Sequence, residues 1–340
     1  MKRLTFDLEF ITPAFIGGAN QQAELRPASF VGLLRWWWRA LKGECDIKKL
    51  REEEIKIFGG DGKMASPVYL RIEGDVSKGE DLINEYRLSW SFDRNRRALV
   101  GPHAGVGYLY YSMVALNKKR EFIKAGSRLR LTLIGKDEFL KHYIASLWAL
   151  VFLGGVGARN RRGGGNLTVV DYNPKDLGIS FIPTGYFDEW LVENLKRAKD
   201  LVGYSKTPCN EYSNLKNVKL VLSPREFNTW VEALNDIGNR FMNFRLKNRQ
   251  RVFETAVFGI PVRHSNGQFV KAGNDITRRS SPVIIKVVKT PKGKYLWMVL
   301  WLWGKFLPNG VKLSFMGKTQ EPSFKLIEEF FQELEGGAKK

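Results

Sequence analysis

The chain has 340 residues, with 55 lysines and arginines against 35 aspartates and glutamates, a formal net charge of +20. That length suits two domains that each bury a core, and so large a positive excess points to a polyanionic partner. The longest apolar run, YLWMVLWLW at 295–303, falls far short of the roughly 20 residues a bilayer-crossing helix needs, so a membrane span is excluded.

The first segment, MKRLTFDLEFITP, interleaves Leu4, Phe6, Leu8 and Phe10 with Thr5, Asp7 and Glu9, the period of a half-buried strand and not that of a secretory signal. A glycine turn, FIGGANQ, leads into a helix carrying LLRWWWRALKG (33–43), with Ser29 placed to cap its start and Gly43 just past its end. PVYLRIE (67–73) reads as a strand. Between 85 and 116, YRLSWSF and GYLYYSMVAL read as two arms of a hairpin insertion around the basic loop DRNRRALVGPHAG. SRLRLTLIG (127–135) alternates, KDEFLKHYIASLWALVFLGG (136–155) has helical periodicity, and NLTVVDY (166–172) is a further strand. The order is βαββαβ, that of a ferredoxin-like domain over residues 1–173. Residues 174–340 again mix helices and strands, including a hairpin at 282–303 turned by Pro-Lys-Gly and buried in a core. The expected fold class is α+β: two ferredoxin-like domains packed together, the second more decorated, with no repeat or low-complexity linker between them.

The tryptophan helix divides by geometry. At about 100° per residue, Phe30, Leu33, Leu34 and Leu41 fall on the side of Trp37, the core stripe, whereas Gly32, Arg35, Arg39 and Lys42 lie near the opposite pole. Trp36 and Trp38 are shoulders, suited to packing at the boundary. Arg35 and Arg39 repel each other slightly at i, i+4, and no acidic residue on the same helix offsets them, so the spacing aims both outward at something anionic.

GGVGARNRRGGGNL (154–167) is neither a P-loop nor a dinucleotide fingerprint, since it joins a helix to a strand and lacks both glycine patterns. Its chemistry permits bare backbone at Gly155, Gly157, Gly163 and Gly164 to approach a sugar-phosphate chain while Arg159, Arg161 and Arg162 neutralise phosphates. Arg94, Arg96 and Arg97 in the first basic loop, and Arg263, His264, Arg278 and Arg279 further on, extend the candidate surface. A run from Arg240 through Arg245, Lys247 and Arg249 to Arg251 reads first as a solvated face. Cys45 and Cys209 fit no metal or redox spacing and read as free thiols in a reducing, cytoplasmic compartment. No Asp/Glu/His cluster has metal-ligand spacing, and no cofactor is implied.

ITPAFIGGANQQAELRPASFVGLLRWWWRAL (11–41) resembles the opening motif of the RAMP-superfamily subunit one of the Cmr complex, the type III-B CRISPR effector. The 154–167 loop resembles the glycine-rich loop of that family, and FGIPV (258–262) with ITRRSSPVIIKV (276–287) its later motifs. The resemblance covers most of the chain and implies two RRM-related domains. It also implies a non-catalytic role: binding single-stranded RNA, guide or captured target, near the guide's 3′ end, beside other Cmr subunits. It puts Arg26, Arg35, Arg39 and the arginines of 159–162 on the RNA surface, with contacts mainly to phosphate and sugar. Two other readings stay open. Some RAMP relatives are metal-independent ribonucleases, although the three histidines, His103, His142 and His264, lie apart in the sequence. A purely protein-binding scaffold is the other.

Overall fold

The structure is a computed structural model, and it describes residues 1–337 apart from 19, 21, 61, 63, 115–119, 208, 264–266, 274 and 275; of Arg263 and Gly337 only the backbone is described. The first half runs β1 (Lys2–Phe10), α1 (Pro27–Lys42), α2 (Ile47–Phe58), β2 (Tyr69–Glu73), β3 (Lys78–Gly79), α3 (Leu82–Glu85), β4 (Ser91–Asp93), β5 (Ala98–Val100), α4 (Ala104–Leu109), α5 (Tyr111–Val114), β6 (Phe122–Ile123), β7 (Arg128–Gly135), α6 (Asp137–Leu153) and β8 (Leu167–Asn173). The sheet order β2-β7-β1-β8, antiparallel where β1 meets β7 and β8, is that of a ferredoxin-like βαββαβ unit. Leu4, Phe6, Leu8 and Phe10 are buried as the alternation requires. The opposite face carries the cross-strand pairs Asp7–Arg130 and Glu9–Arg128.

A hairpin forms, but not between the expected arms: Ser91–Asp93 pairs with Ala98–Val100, which lies inside the segment read as the loop, and GYLYYSMVAL is not a strand. Its described residues fold as the short helices α4 and α5. The reason is a close crossing with a later helix: a Cβ on Gly105 would meet the Asn235 carbonyl oxygen at 2.2 Å, so only a bare backbone fits. The aromatic residues that mimic strand alternation are instead anchors, with Tyr110 fully buried and donating to the Gly163 carbonyl at 2.8 Å.

The second half runs α7 (Phe187–Val202), β9 (Asn214–Leu222), α8 (Trp230–Lys247), α9 (Val252–Ala256), β10 (Val262–Arg263), β11 (Phe269–Ala272), β12 (Val283–Lys289), β13 (Tyr295–Trp303), β14 (Leu313–Phe315), β15 (Lys318–Gln320) and α10 (Lys325–Gly337). Its main sheet, β12-β13-β9, with α8 and α10, repeats the first three strands and both helices of the ferredoxin-like order. The four short strands β10-β11-β14-β15 form a separate sheet, the decoration expected of this half.

The two halves are layered. Helices α1 and α6 cover the first sheet and also touch the second, whose other face carries α8. Ile284, Val288, Met298 and Leu300 enter the first core, and Val287, Trp297 and Val299 the second. Burial on both faces explains why β13 reads as an unbroken apolar run and why β12 is apolar from Val283 to Val288 apart from Lys286. Helix α7 packs on α6 and α1, while α4 from the first half packs on α8, so each half lends a helix to the other.

Candidate nucleic-acid interface

The glycine loop after α6 lies in the seam between the halves. Its backbone is bonded on two sides: Ala158 N donates to Phe15 O at 3.0 Å and Gly165 N to Pro13 O at 2.8 Å, while Ile285 N of β12 donates to Arg161 O at 3.1 Å. The Asn166 side chain accepts from Val287 N at 2.8 Å. These partners correct the expected role of the glycines. Gly155, Gly163 and Gly164 are buried, and a Cβ would strike the Gly164 carbonyl from Gly155 at 2.7 Å, the Phe15 carbonyl from Gly157 at 2.6 Å and the Ala158 carbonyl from Gly164 at 2.9 Å. A Cβ on Gly163 would meet Leu234 at 2.3 Å. The bare backbone serves close packing and is not held open for a sugar-phosphate chain.

The arginines of the loop split by direction. Arg162 turns inward, donating to Val283 O and Phe258 O at 2.9 Å each, with its guanidinium 5.1 Å from the Phe241 ring. Arg161 donates to Ser281 O and lies 5.1 Å over the Trp36 ring of α1. Burial pushes Arg162 down to about 9 and Arg161 to about 10; neighbouring Arg245 adds to the first and Arg279 to the second. Arg159 sits at φ 60° beside Tyr108, and its buried Nε has no hydrogen-bond partner. Arg245 of α8 donates to the Tyr108 hydroxyl at 3.1 Å, and its Nε is likewise buried and unpartnered. Among the described residues no carboxylate pairs with Arg159, Arg161, Arg162, Arg245 or Arg279. The fold therefore gathers five guanidinium groups around one loop, where among the described residues their partners are backbone carbonyls, aromatic rings and the Tyr108 hydroxyl, with no carboxylate. Arg245 and Tyr108 were not among the sequence candidates; one sat in a charge run and the other in a supposed strand.

The cations of α1 form a separate group, and their surroundings differ from expectation. Arg35 Nε donates to Glu54 Oε1 of α2 at 2.7 Å, and Arg39 Nη1 contacts both Glu54 oxygens at 2.8 Å. Lys42 pairs with Glu53 at 2.7 Å, with its side chain 12 % exposed. The acidic offset that α1 lacks comes from the next helix, so none of the three points unpaired into solvent. Trp37 is buried as expected, whereas Trp38 is fully buried and not a shoulder. The cause is α6, whose His142 accepts from Trp38 Nε1 at 3.2 Å, with Phe58 of α2 packed against the indole. Trp36 keeps the boundary place. The helix start also differs: Pro27 takes the first turn after Arg26, and Ser29 lies inside.

Arg26 pairs with Glu24 at 3.0 Å. Arg94, Arg96 and Arg97 are exposed at the tip of the β4–β5 hairpin, and Arg96 lies 3.6 Å from Asp93. Arg278 is exposed, and half-buried Arg279 donates to Lys305 O at 3.2 Å. The Arg263 side chain and His264 lie outside the described residues. In the 240–251 run, Arg240 pairs with Asp236, Arg251 joins Glu254 and Glu329, and Lys247 and Arg249 are exposed. His103 accepts from Ser89 N at 3.1 Å. No helix among the described residues is long and apolar enough to cross a membrane.

The RAMP superfamily model matches residues 7–168. The chain is 30 % identical over 302 residues to the CRISPR system Cmr subunit Cmr1-1 of Pyrococcus furiosus, covering 84 % of this chain and 82 % of the relative. It is 36 % identical over 186 residues to Cmr1-2 of the same organism, covering 50 % of this chain and 96 % of that one. The crystal structure of apo Cmr1 from Pyrococcus furiosus superposes with a TM-score of 0.69 at 26 % identity, over 98 % of this chain and 97 % of that one. A chain of the type III-B Cmr-beta assembly bound to cognate target RNA and AMPPnP, in the presence of single-stranded DNA, shares the fold at a TM-score of 0.60 and 14 % identity, over 98 % and 99 % of the two chains. With a ferredoxin-like frame in each half, the glycine-arginine loop between them and this identity over most of its length, the chain belongs to the Cmr1 family of CRISPR Cmr subunits in the RAMP superfamily.

Proposed function

We propose that this chain is a non-catalytic RNA-binding subunit of a type III-B CRISPR ribonucleoprotein. It would hold guide or captured target RNA near the guide's 3′ end, beside other Cmr subunits in the cytoplasm. The observation that carries the reading is the group Arg159, Arg161, Arg162, Arg245 and Arg279, which has no acidic partner among the described residues. Concentrating five cations costs Coulomb energy that a bound phosphate chain offsets. Arg161 and Arg162 are spent on carbonyls, so they shape the field, and Arg159 with Arg245 makes the direct contacts. Arg94, Arg96, Arg97 and Arg278 supply exposed charge further along the strand's path. Such contacts read phosphate, and the guide's base pairing supplies sequence specificity.

The non-catalytic part of the reading draws on the histidines. His142 is bound to Trp38 inside the first core, and His103 takes a hydrogen bond from Ser89 N at the start of α4, so the two are held in separate places and form no acid–base pair. The test is filter binding of single-stranded RNA to wild type, Arg159→Gln and Arg159→Gln/Arg245→Ala. A loss of about tenfold, with the log-log salt slope shallower by about one per contact removed, is expected. Unchanged affinity and slope in folded variants would overturn the assignment. Labelled RNA should also survive incubation with the chain in EDTA, and cleavage that disappears in His103→Ala would overturn the non-catalytic reading.

A further inference from the structure

Cys45 and Cys209 stand 164 positions apart in sequence, yet the fold brings their thiols within hydrogen-bonding reach of each other. Cys45 lies in the short connection between α1 and α2, and Cys209 in the segment that leads into β9. Two contacts hold that segment against the end of α1, and the Asn214 amide braces it from within. Ser205 N donates to Lys42 O at 2.8 Å, the Tyr212 hydroxyl donates to Glu44 O at 2.9 Å, and Asn214 Nδ2 donates to both Cys209 O and Tyr212 O, at 3.0 and 2.9 Å. The segment is thus pinned to the end of α1 on both sides of Cys209. Cys209 is buried and Cys45 half-exposed, both in the thiol form.

We infer that Cys45 and Cys209 form a reversible intramolecular disulfide, a modification site that covalently ties α1 of the first half to the entry of β9 in the second. The exposures set the order of events. A low-molecular-weight disulfide such as oxidised glutathione reaches Cys45, whose thiolate attacks one reagent sulfur; the reagent's S–S bond breaks and one glutathione thiolate leaves. Cys209 then gives up its proton, attacks the Cys45 sulfur of the mixed disulfide, and expels the second glutathione thiolate. Two protein thiols are oxidised to one disulfide, one reagent disulfide is reduced to two thiols, and the two protons pass to the departing thiolates. Burial, with the Cys45 contact second, pushes the Cys209 thiol up to about 11. The second step is therefore the slow one and quickens with rising pH.

The pairing is independent of the RNA-binding reading. Its test uses the full chain, incubated with oxidised glutathione at pH 8, alkylated, and weighed intact, with non-reducing peptide mapping. The expected product is a monomer that takes up no alkylating agent and is lighter by two hydrogens, with the Cys45 and Cys209 peptides joined. Closing a loop of this length raises the melting temperature by roughly 5 °C over the reduced form. Cys45→Ala and Cys209→Ala should show no such rise on oxidation. Persistence of both thiols, a glutathione adduct on Cys45 that never resolves, or a disulfide-linked dimer would each overturn the inference. The mass readout on the wild-type chain holds even if a variant folds poorly.

Discussion

Arg39 of α1 holds Glu54 of α2 through both carboxylate oxygens, at 2.8 Å each, and Arg35 one turn earlier adds a third contact at 2.7 Å. The Glu54 side chain is only 9 % exposed, against 31 % and 35 % for the two arginines. Removing the arginines therefore strands a buried carboxylate, whereas removing the carboxylate leaves two cations with access to water.

Arg35→Ala/Arg39→Ala should accordingly lose about 2 kcal/mol of stability in urea denaturation, and adding Glu54→Gln should recover most of it. The triple variant also separates two roles. If its RNA affinity matches wild type, the α1 arginines are structural, while affinity that falls with stability restored makes them RNA contacts. No recovery in the triple variant would contradict the ion-pair account itself.

The pair Trp38–His142 makes stability depend on pH. His142 Nδ1 accepts from the indole and must be unprotonated to do so; burial, with Lys141 and Lys42 nearby, pushes the imidazole down to about 4 from 6.5. Between those values the unfolded chain binds the proton and the folded chain does not, so stability is complete above pH 6.5 and falls as pH drops towards 4. The loss should be on the order of 3 kcal/mol, and His142→Gln, which retains an acceptor, should flatten the curve. Urea midpoints across that range give the measurement, and an unchanged slope in the variant would assign the titration elsewhere.

Much of the frame could be read from the sequence because its signals are local. Alternation at Leu4, Phe6, Leu8 and Phe10 needs only one buried face, and Gly43 closes α1 in the left-handed conformation at φ 62°. What could not be read depends on partners distant in sequence. The burial of Trp38 needs α6, the neutralisation of Arg35 and Arg39 needs α2, and α4 replaces a strand because Gly105 meets α8. The acidic run Glu52–Glu54 was the available signal for the second of these, a complementary patch on the adjoining helix. For the candidate surface, the sequence marked the loop arginines but could not tell Arg162, committed to carbonyls, from Arg159, which has no hydrogen-bond partner for its Nε.

The glycines of the loop make a prediction of the opposite sign to their first reading. Gly157 lies at φ 81°, and a Cβ there would sit 2.6 Å from the Phe15 carbonyl oxygen, a backbone atom that cannot step aside cheaply. Gly157→Ala should cost about 2–3 kcal/mol, from left-handed strain and lost packing together. The chain that remains folded should bind RNA with wild-type affinity. A variant of full stability with impaired binding would restore the picture of an amide cradle.

Lys286 presents the reverse case, a charge whose removal should help. It projects from β12 into the first core with no exposed surface, and its Nζ contacts only the Gly154 carbonyl among the described hydrogen bonds, at 2.7 Å. Burial pushes it down to about 7 from 10.5. Its folded value lies below its unfolded one, so between pH 7 and 10.5 the unfolded chain carries the extra proton and wild-type stability rises with pH; below 7 both states are charged and the dependence ends. The penalty is thus nearly complete at neutral pH. Lys286→Met fills the same space without an ammonium group, and Gly154 O keeps a second donor, Asn166 Nδ2 at 3.3 Å. The variant should gain about 2 kcal/mol or more at pH 7, with the advantage shrinking towards pH 10 as the wild-type penalty is relieved. Urea denaturation at the two pH values separates the outcomes: a variant less stable than wild type at pH 7 would mean that the hydrogen bond to Gly154 outweighs the cost of burying the charge.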